Sequence, residues 1–543
     1  MNIKQLRGTV DDLFTKRSTL VTRWQEIAEN FYPERADFTY TTTIGNHFAE
    51  NLMSSYPIQC RRDLGDQIGM MLRPSSKEWF HVSPKDTARE NNEAKRWLEM
   101  AGMIQRRAMY DRVSRFSRAV KEADHDFAAF GQTVISCRLN KNRDALLYRT
   151  WHLRDVVWME NMEGDIGLVA RKWKPYLRDL MAIFGNKNHH DVSTEAEKTP
   201  YAECDCYHII CEADMYDGEG KTKAGQMPYW SIYYDVKHDH ILEAVPTWNK
   251  EYIVPRWQTV SGSQYAYSPA TIVALPDARL LQSMTYTLLE AGEKATNPPM
   301  IATVDAVRSD IAIYPSGITW VSEEYDERLG EALRPINQDY RNLPIGLEMQ
   351  QDARGMLMRA FFLHKLTLPE RAPEMTAYEI GQRVQEYIRG AIPIFEPMEM
   401  DYNGQLCELT FEILMRNGAF GSPYDMPESL QGADIDFRFE SPLHDLIEQQ
   451  KGQKFMEMTG IISQAAALDQ SVLALPDINV SVRDVLNGIQ IPAAWVRNET
   501  TVEQMQDAHQ AAQEAASLLA GLEQGGKGVA SLAKAEKDLS QAM

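Results

Sequence analysis

The chain has 543 residues, 44% of them hydrophobic, which is enough for several domains with sizeable cores. With 57 basic against 77 acidic side chains its formal net charge is −20, which argues against a tight, sequence-independent DNA binder with a basic surface but leaves room for a protein that surrounds DNA and lets it slide. Six cysteines without a framework of spacings predict free thiols in a reducing compartment, and the lack of an apolar signal core at the start and of any run of about 18 apolar residues predicts a soluble, cytoplasmically made protein with no membrane partner.

Residues 3 to 31 read as one helix with Leu13, Phe14, Leu20, Val21, Trp24 and Ile27 on its apolar side, closed by Tyr32 and Pro33. A second helical region from Gly45 to Met71, interrupted at Pro57, leads through Arg73 and Pro74 to a strand at Trp79–Val82. Residues 91 to 130 are helical in two runs that meet near Ser114, and Gly131 to Leu139 then switches to a period of two. From 145 to 260 the pattern is mostly β. Leu146, Tyr148, Val156, Val157, Ile166 and Val169 sit in short runs, and Met162 to Asp165 is a hairpin turn signal. Residues 185 to 200 are polar and read as a surface loop. Strands at Tyr207–Met215 and Trp230–Val236 flank the glycine-rich stretch Asp217 to Gly225. Tyr252 to Gln258 and Tyr265 to Ser268 lead to a helix that Pro276 and Asp277 can start, with Leu280, Leu281, Met284, Leu288 and Ala291 on one side and an end before Asn297, Pro298 and Pro299.

Residues 298 to 340 hold short apolar runs and the turn residues Pro315 to Gly317, a small β-containing excursion. A long helix from Leu343 to Lys365, about 34 Å at 1.5 Å per residue, follows. Leu347, Met349, Met356, Leu357, Met358, Ala360, Phe361 and Leu363 recur along it at spacings that predict a broad buried face. Pro369 and Pro373 stop it by removing donors and pushing the residues before them out of the helical region. Thr376 and Glu379 have capping-box spacing, with Met375 and Ile380 placed to staple the entry of a second run through Val384, Tyr387 and Ile388. That run bends near Gly390 and Pro393 and ends at Asn417 and Gly418. Beyond Phe420 come a loop, a strand at Ile435–Phe439 and helices from Pro442, broken at Leu473 to Ile478. The stretch Thr501 to Met543 is either a helix that needs a partner or disordered.

The search for chemistry returns negatives. Gly218 to Thr222 has the end of a phosphate-binding loop, but the required first glycine falls at Met215 and the segment joins two strands. Cys204, Cys206, Cys211 and His208 match no common zinc framework; the alternating Cys204, Cys206 and His208 read as one strand face. His189 and His190 read as a solvated pair, and Glu323–Glu324 and Asp11–Asp12 as solvated surface. No catalytic residue, metal ligand or cofactor is expected. Lys365, Glu370 and Arg371 remain as a charged group beside prolines, which solvation alone could produce.

The order of a long helix, a loop with Glu370 and Arg371, then Thr376, Ala377, Glu379 and Ile380, and a long helix ending in Leu414 and Arg416 resembles the portal, or head-to-tail connector, of short-tailed phages. The likeness runs in order over about residues 10 to 500. It implies an α+β portal fold: a mixed α/β wing in 1–270 and 376–440, stem helices at 271–297 and 341–365, and a small β-containing clip at 298–340. It further implies a tunnel loop at 366–375, a helical crown at 441–500 and a tail at 501–543. By this resemblance the protein is a virion structural protein, not an enzyme, assembled in the host cytoplasm as a ring of twelve copies at one capsid vertex. Its partners would be the terminase ATPase, tail adaptor or tail tube proteins, capsid and scaffolding proteins, and double-stranded DNA without sequence specificity. Lys365, Glu370 and Arg371 would then face the DNA channel, and the cationic members, Lys365 and Arg371, would touch phosphates without reading bases. The alternatives are another ring-forming or scaffolding virion protein, such as an ejection or neck protein, and a nucleic-acid enzyme.

Overall fold

A computed structural model describes residues 1–41, 52–75, 77–86, 89, 91–218, 227–296, 298–302, 333–335, 343–366, 390, 393–422, 425–439, 455–465 and a few positions between 481 and 508. The described residues combine helices with antiparallel sheets, the α+β class expected. In chain order the elements are α1 (Ile3–Lys16), α2 (Ser18–Phe31), α3 (Tyr56–Leu72), β1 (Phe80–Pro84), α4 (Asn92–Met109), α5 (Phe116–Phe130), β2 (Val134–Leu139) and β3 (Leu146–Trp151). Then follow β4 (Val156–Glu160), β5 (Ile166–Trp173), α6 (Leu177–Phe184), α7 (His190–Lys198), β6 (Cys206–Glu212), β7 (Tyr229–Asp235), β8 (His240–Thr247) and β9 (Tyr252–Ile253). The remainder are α8 (Pro269–Thr296), β10 (Met300–Ala302), β11 (Leu333–Pro335), α9 (Leu343–Ala360), α10 (Leu363–Leu366), α11 (Gln405–Arg416) and β12 (Ile435–Phe439).

The chain divides into two compact units, Met1–Lys77 with Ala108–Ile413, and Glu78–Arg107 with Leu414–Met543. In the second unit β1 and β12 form an antiparallel pair, with Phe80 opposite Phe439 and Pro84 opposite Ile435. Trp79 stacks on Phe439 at 6.5 Å and Trp97 meets Phe420 edge-on at 6.2 Å.

In the first unit a five-stranded antiparallel sheet has the order β4-β5-β6-β7-β8, and a three-stranded one the order β3-β2-β9. Strand β6 is buried along nearly its whole length because both of its faces are covered. On one face Tyr207, Ile209 and Cys211 join Leu6, Val10 and Leu13 of α1. On the other, Cys206 joins Leu177, Leu180, Phe184 and Val192 of α6 and α7. Cys211 thus lies on the opposite face of β6 from Cys206. His208 is on the α6 side of the strand, where its Nδ1 meets Tyr252 Oη at 2.7 Å and its Nε2 meets Ser231 Oγ at 3.0 Å.

Several boundaries differ from the sequence reading. The helix expected over 3 to 31 is two helices, because Arg17 leaves the helical path and sends its buried guanidinium to the carbonyls of Leu153 and Val156 at 2.8 and 2.6 Å. Pro57 does not interrupt a helix but sits in the first turn of α3, where a missing N–H costs nothing. The polar stretch 185 to 200 holds α7, which packs on the core through its buried Val192 and partly buried Ala196. Residues 219–226, which include most of the failed phosphate loop, lie outside the described residues, as do 303–332 of the expected clip, 367–389 and most of 440–543.

Candidate functional site: two long paired helices and the segment they lead into

The longest helix among the described residues, α8, spans 28 residues, about 42 Å. It starts at Pro269, about two turns before the Pro276–Asp277 start that the sequence suggested. Ser268 Oγ donates to the carbonyl of Ala128 at 2.7 Å and Thr271 Oγ1 to that of Ala129 at 2.8 Å, so the entry of α8 satisfies carbonyls that the end of α5 leaves open. Pro269 opens the helix and Pro276 lies inside it, on the exposed side. Between the two helices Gly131 takes φ +72°, the left-handed conformation of a helix cap.

The first half of α8 is anchored. Thr271, Ala274, Leu275, Ala278 and Leu281 are buried. Gln282 holds the backbone before α3 with three hydrogen bonds, accepting from Met53 N and Ser54 N at 2.7 and 2.8 Å and donating to Ser54 O at 2.8 Å. The second half pairs with α9. Gln350 Nε2 donates to Thr285 Oγ1 at 2.9 Å, and Gly346 lets Leu288 approach so closely that an added Cβ would stand 2.8 Å from its Cδ2. Beyond the pair, β10 and β11 form a two-stranded antiparallel ladder, with Ile301 opposite Arg334.

Ala353, Leu357 and Phe361 carry the inner side of α9, and Phe361 packs against Phe31 at 5.4 Å. The broad buried face expected of this helix is narrower than that. Leu347 and Met349 are 53% and 54% exposed, Met356 and Met358 are exposed too, and on α8 Tyr286 and Leu289 are 55% and 53% exposed. Leu280, placed on the apolar side in the sequence reading, is also exposed. The signal was legible: apolar residues at 345, 347, 349, 356, 357 and 358 cannot share one stripe of a helix.

The continuous helix expected to Lys365 breaks at Phe362, which has φ +57°, and resumes as the single turn α10. Leu366 is buried and ends the described run, while Lys365 is exposed at its edge. Burial and the neighbouring charges of Lys365 and Arg359 hold the His364 imidazole below its usual pKa, so three cationic or cation-capable groups gather here. Glu370 and Arg371, the other two expected site residues, lie outside the described residues. The described residues resume at 390 and in a helical run over 393–398, which passes into a π-helical turn, Glu399–Gly404, and then α11, ending, as expected, before Asn417 and Gly418.

That π turn supplies a polar set that the sequence did not disclose. Arg73 Nη1 donates to Asn403 Oδ1 at 2.5 Å, its Nη2 pairs with Asp124, and its guanidinium lies 4.3 Å from the Tyr402 ring centre; all four residues are buried. Asn403 also donates to the carbonyl of Leu72 at 3.2 Å. Burial pushes the Asp124 carboxyl up against the opposing pull of Arg73. The arrangement ties α3, α5 and the π turn together and offers no reactive group to solvent. No helix among the described residues is long and apolar enough to cross a membrane.

Comparison with known proteins finds similarity over nearly the whole chain. The chain is 22% identical over 537 residues to a "Probable portal protein" of Bordetella phage BPP-1, covering 96% of this chain and 95% of that one. It is 19% identical over 492 residues to a "Portal protein" of Salmonella phage epsilon15, covering 88% and 86%. Residues 3–496 match the family described as bacteriophage head to tail connecting protein. The chain therefore belongs to the bacteriophage head-to-tail connecting family of structural, non-enzymatic virion proteins.

Proposed function

We propose that this chain is the portal subunit of a phage virion, and that copies of it close into a ring, of twelve subunits by family resemblance, at one capsid vertex. The observation that supports the ring best is the α8–α9 pair, a long rigid element that leaves Tyr286, Leu289, Ile345, Leu347 and Met349 exposed along its length. Apolar side chains gathered in this way on one element are uncommon on a monomer and suit a contact with a neighbour. A ring needs a different face of each subunit against each of its two neighbours, and two faces of one helical pair can serve.

In this reading α8 and α9 are the stem, 298–340 the clip between them, 366–375 the tunnel loop, 1–270 and 376–440 the wing, and 441–500 the crown. The ring is a channel through which a separate terminase ATPase drives double-stranded DNA inward during assembly in the host cytoplasm and through which the DNA leaves on infection. Its clip end is the docking platform for terminase and later for tail adaptor proteins, while the wing meets capsid and scaffolding proteins. Lys365 at the entry of the tunnel loop and Arg371 within it contact passing phosphates without reading sequence, and the acidic Glu370 faces the same channel without holding the DNA. A net charge of −20 keeps that attachment weak, as sliding DNA requires.

The test is in vitro packaging with purified rings, scored as DNase-protected DNA. Deletion of residues 370–372 is expected to leave ring assembly unchanged and to reduce the DNA packaged or retained. Full packaging and retention by the deleted rings would remove the channel role from this loop.

A further inference from the structure

Among the described residues, one set of ligand-type side chains away from the helical pair lies where β7 turns into β8. Cys204, just before β6, Asp235, at the end of β7, and His238, in the turn, each bring one ligand atom within 4.8 Å of the others. Cys204 and Asp235 are buried and the His238 side chain is 11% exposed. These three residues are distant in sequence from any common zinc spacing, and only the β6–β7 pairing and the turn bring them together.

We propose that Cys204, Asp235 and His238 bind one divalent cation of zinc type, with the fourth position open to water. Thiolate, imidazole and carboxylate together select a borderline-soft ion over magnesium or calcium, which prefer oxygen alone. The geometry is close to what such an ion needs. Cys204 Sγ stands 3.5 Å from Asp235 Oδ1, and a thiolate and a carboxylate oxygen on a tetrahedral zinc are about 3.6 Å apart. His238 Nδ1 is 2.6 Å from Asp235 Oδ2, a hydrogen-bond distance, and an ion between them requires a separation of about 3.3 Å. A small rotation of the His238 ring, which is in a turn, supplies the difference.

The surroundings resemble an outer shell. Asp235 Oδ1 accepts from the backbone N–H of Lys237 at 2.9 Å and of His238 at 3.3 Å, which fixes the carboxylate in place. The His189 ring stacks on that of His238 at 5.1 Å, and with Asp191 it forms a second set of donors that shares His238, on the solvent side. On binding, His238 exchanges its hydrogen bond to Asp235 for the ion. The ion would link the approach to β6 with the β7–β8 turn and brace the α6–α7 insertion.

The experiment uses the full-length, reduced protein after removal of metal with a chelator. Titration with cobalt(II) is expected to give a thiolate-to-cobalt absorption band that saturates at one equivalent per chain and is displaced by zinc(II). X-ray absorption of the zinc-loaded protein is expected to show one sulfur among nitrogen and oxygen ligands. Cys204→Ser should weaken binding ~10-fold or more, whereas Cys211→Ala, on the opposite face of β6, should retain the band. The absence of a band in the wild type, a zinc shell of nitrogen and oxygen only, or a band that survives Cys204→Ser in a folded protein would overturn the site. If Cys204→Ser does not fold, the wild-type X-ray absorption decides alone.

Discussion

Gly131 lies against the backbone of Tyr267, so that a Cβ added to it would stand 2.1 Å from the Tyr267 carbonyl carbon and 2.2 Å from Ser268 N. This is the joint at which α5 ends and α8 begins, and backbone cannot move aside as a side-chain tip can. Gly131 also has φ +72°, which a Cβ disfavours. Gly131→Ala is expected to destabilise the protein by more than about 2 kcal/mol. Gly164→Ala has a similar φ but nothing within 4 Å, and should cost only about 1 kcal/mol. Melting midpoints of the two variants, measured side by side, check the contrast, and equal shifts would show that the joint has room.

The Arg73–Asp124 pair is wholly buried, so removing either partner strands a charge. Asp124→Ala is expected to cost roughly 3–5 kcal/mol, and Arg73→Met a similar amount. The double variant Arg73→Met with Asp124→Leu should recover part of the loss, because replacing both members by apolar groups leaves no uncompensated charge. Denaturant midpoints of the three proteins provide the cycle. Strict additivity would mean that the two residues do not act as a pair.

His125 gives a pH dependence with a defined sign. Burial, and then the charge of Arg61, lower its pKa from 6.5 to about 4, with Lys121 acting in the same direction and Asp66 and Asp126 against it. Its ring stays neutral in the folded state over a range in which the unfolded chain binds a proton. The contribution is therefore fully present above pH 6.5 and is lost as pH falls toward 4, up to about 3 kcal/mol. His125→Gln is expected to flatten this part of the stability curve between pH 6.5 and 4. An unchanged slope would place the titrating group elsewhere.

The two sides of α9 should respond differently to substitution. Leu357 is fully buried, and Leu357→Ala should cost about 2–5 kcal/mol. Leu347→Ser and Met349→Gln change exposed side chains and should leave the melting midpoint of the isolated subunit within about 0.5 kcal/mol of the wild type, while weakening self-association. Sedimentation at several concentrations reads the second effect. Association that is insensitive to Leu347 and Met349 would move the contact to another face.

Much of the architecture was legible because periodicity is a local property. Alternation marked β2 and the β4–β5 hairpin, and the terminators at Asn297 and Asn417 fell where α8 and α11 end. Helix breaks were not legible where their cause is distant. Nothing near Arg17 in sequence announces that carbonyls at 153 and 156 will draw it out of the helix, and Phe362 is not a residue type that signals a left-handed turn. The polar helix α7 was missed because a single buried residue, Val192, gives no stripe. Of the expected channel residues Lys365 is exposed at the end of α10, and Glu370 and Arg371 lie outside the described residues. The sets around Arg73 and around Asp235 were invisible because their members are separated by tens to hundreds of residues.

The measurement that bears most directly on the portal reading is electron microscopy of the purified full-length protein, paired with its mass in solution. Closed rings with an open central channel, about twelve subunits in number and of a corresponding multiple of 62.0 kDa, are expected. A protein that stays a 62.0 kDa monomer across salt and concentration, or that forms closed particles without a channel, would contradict the portal account.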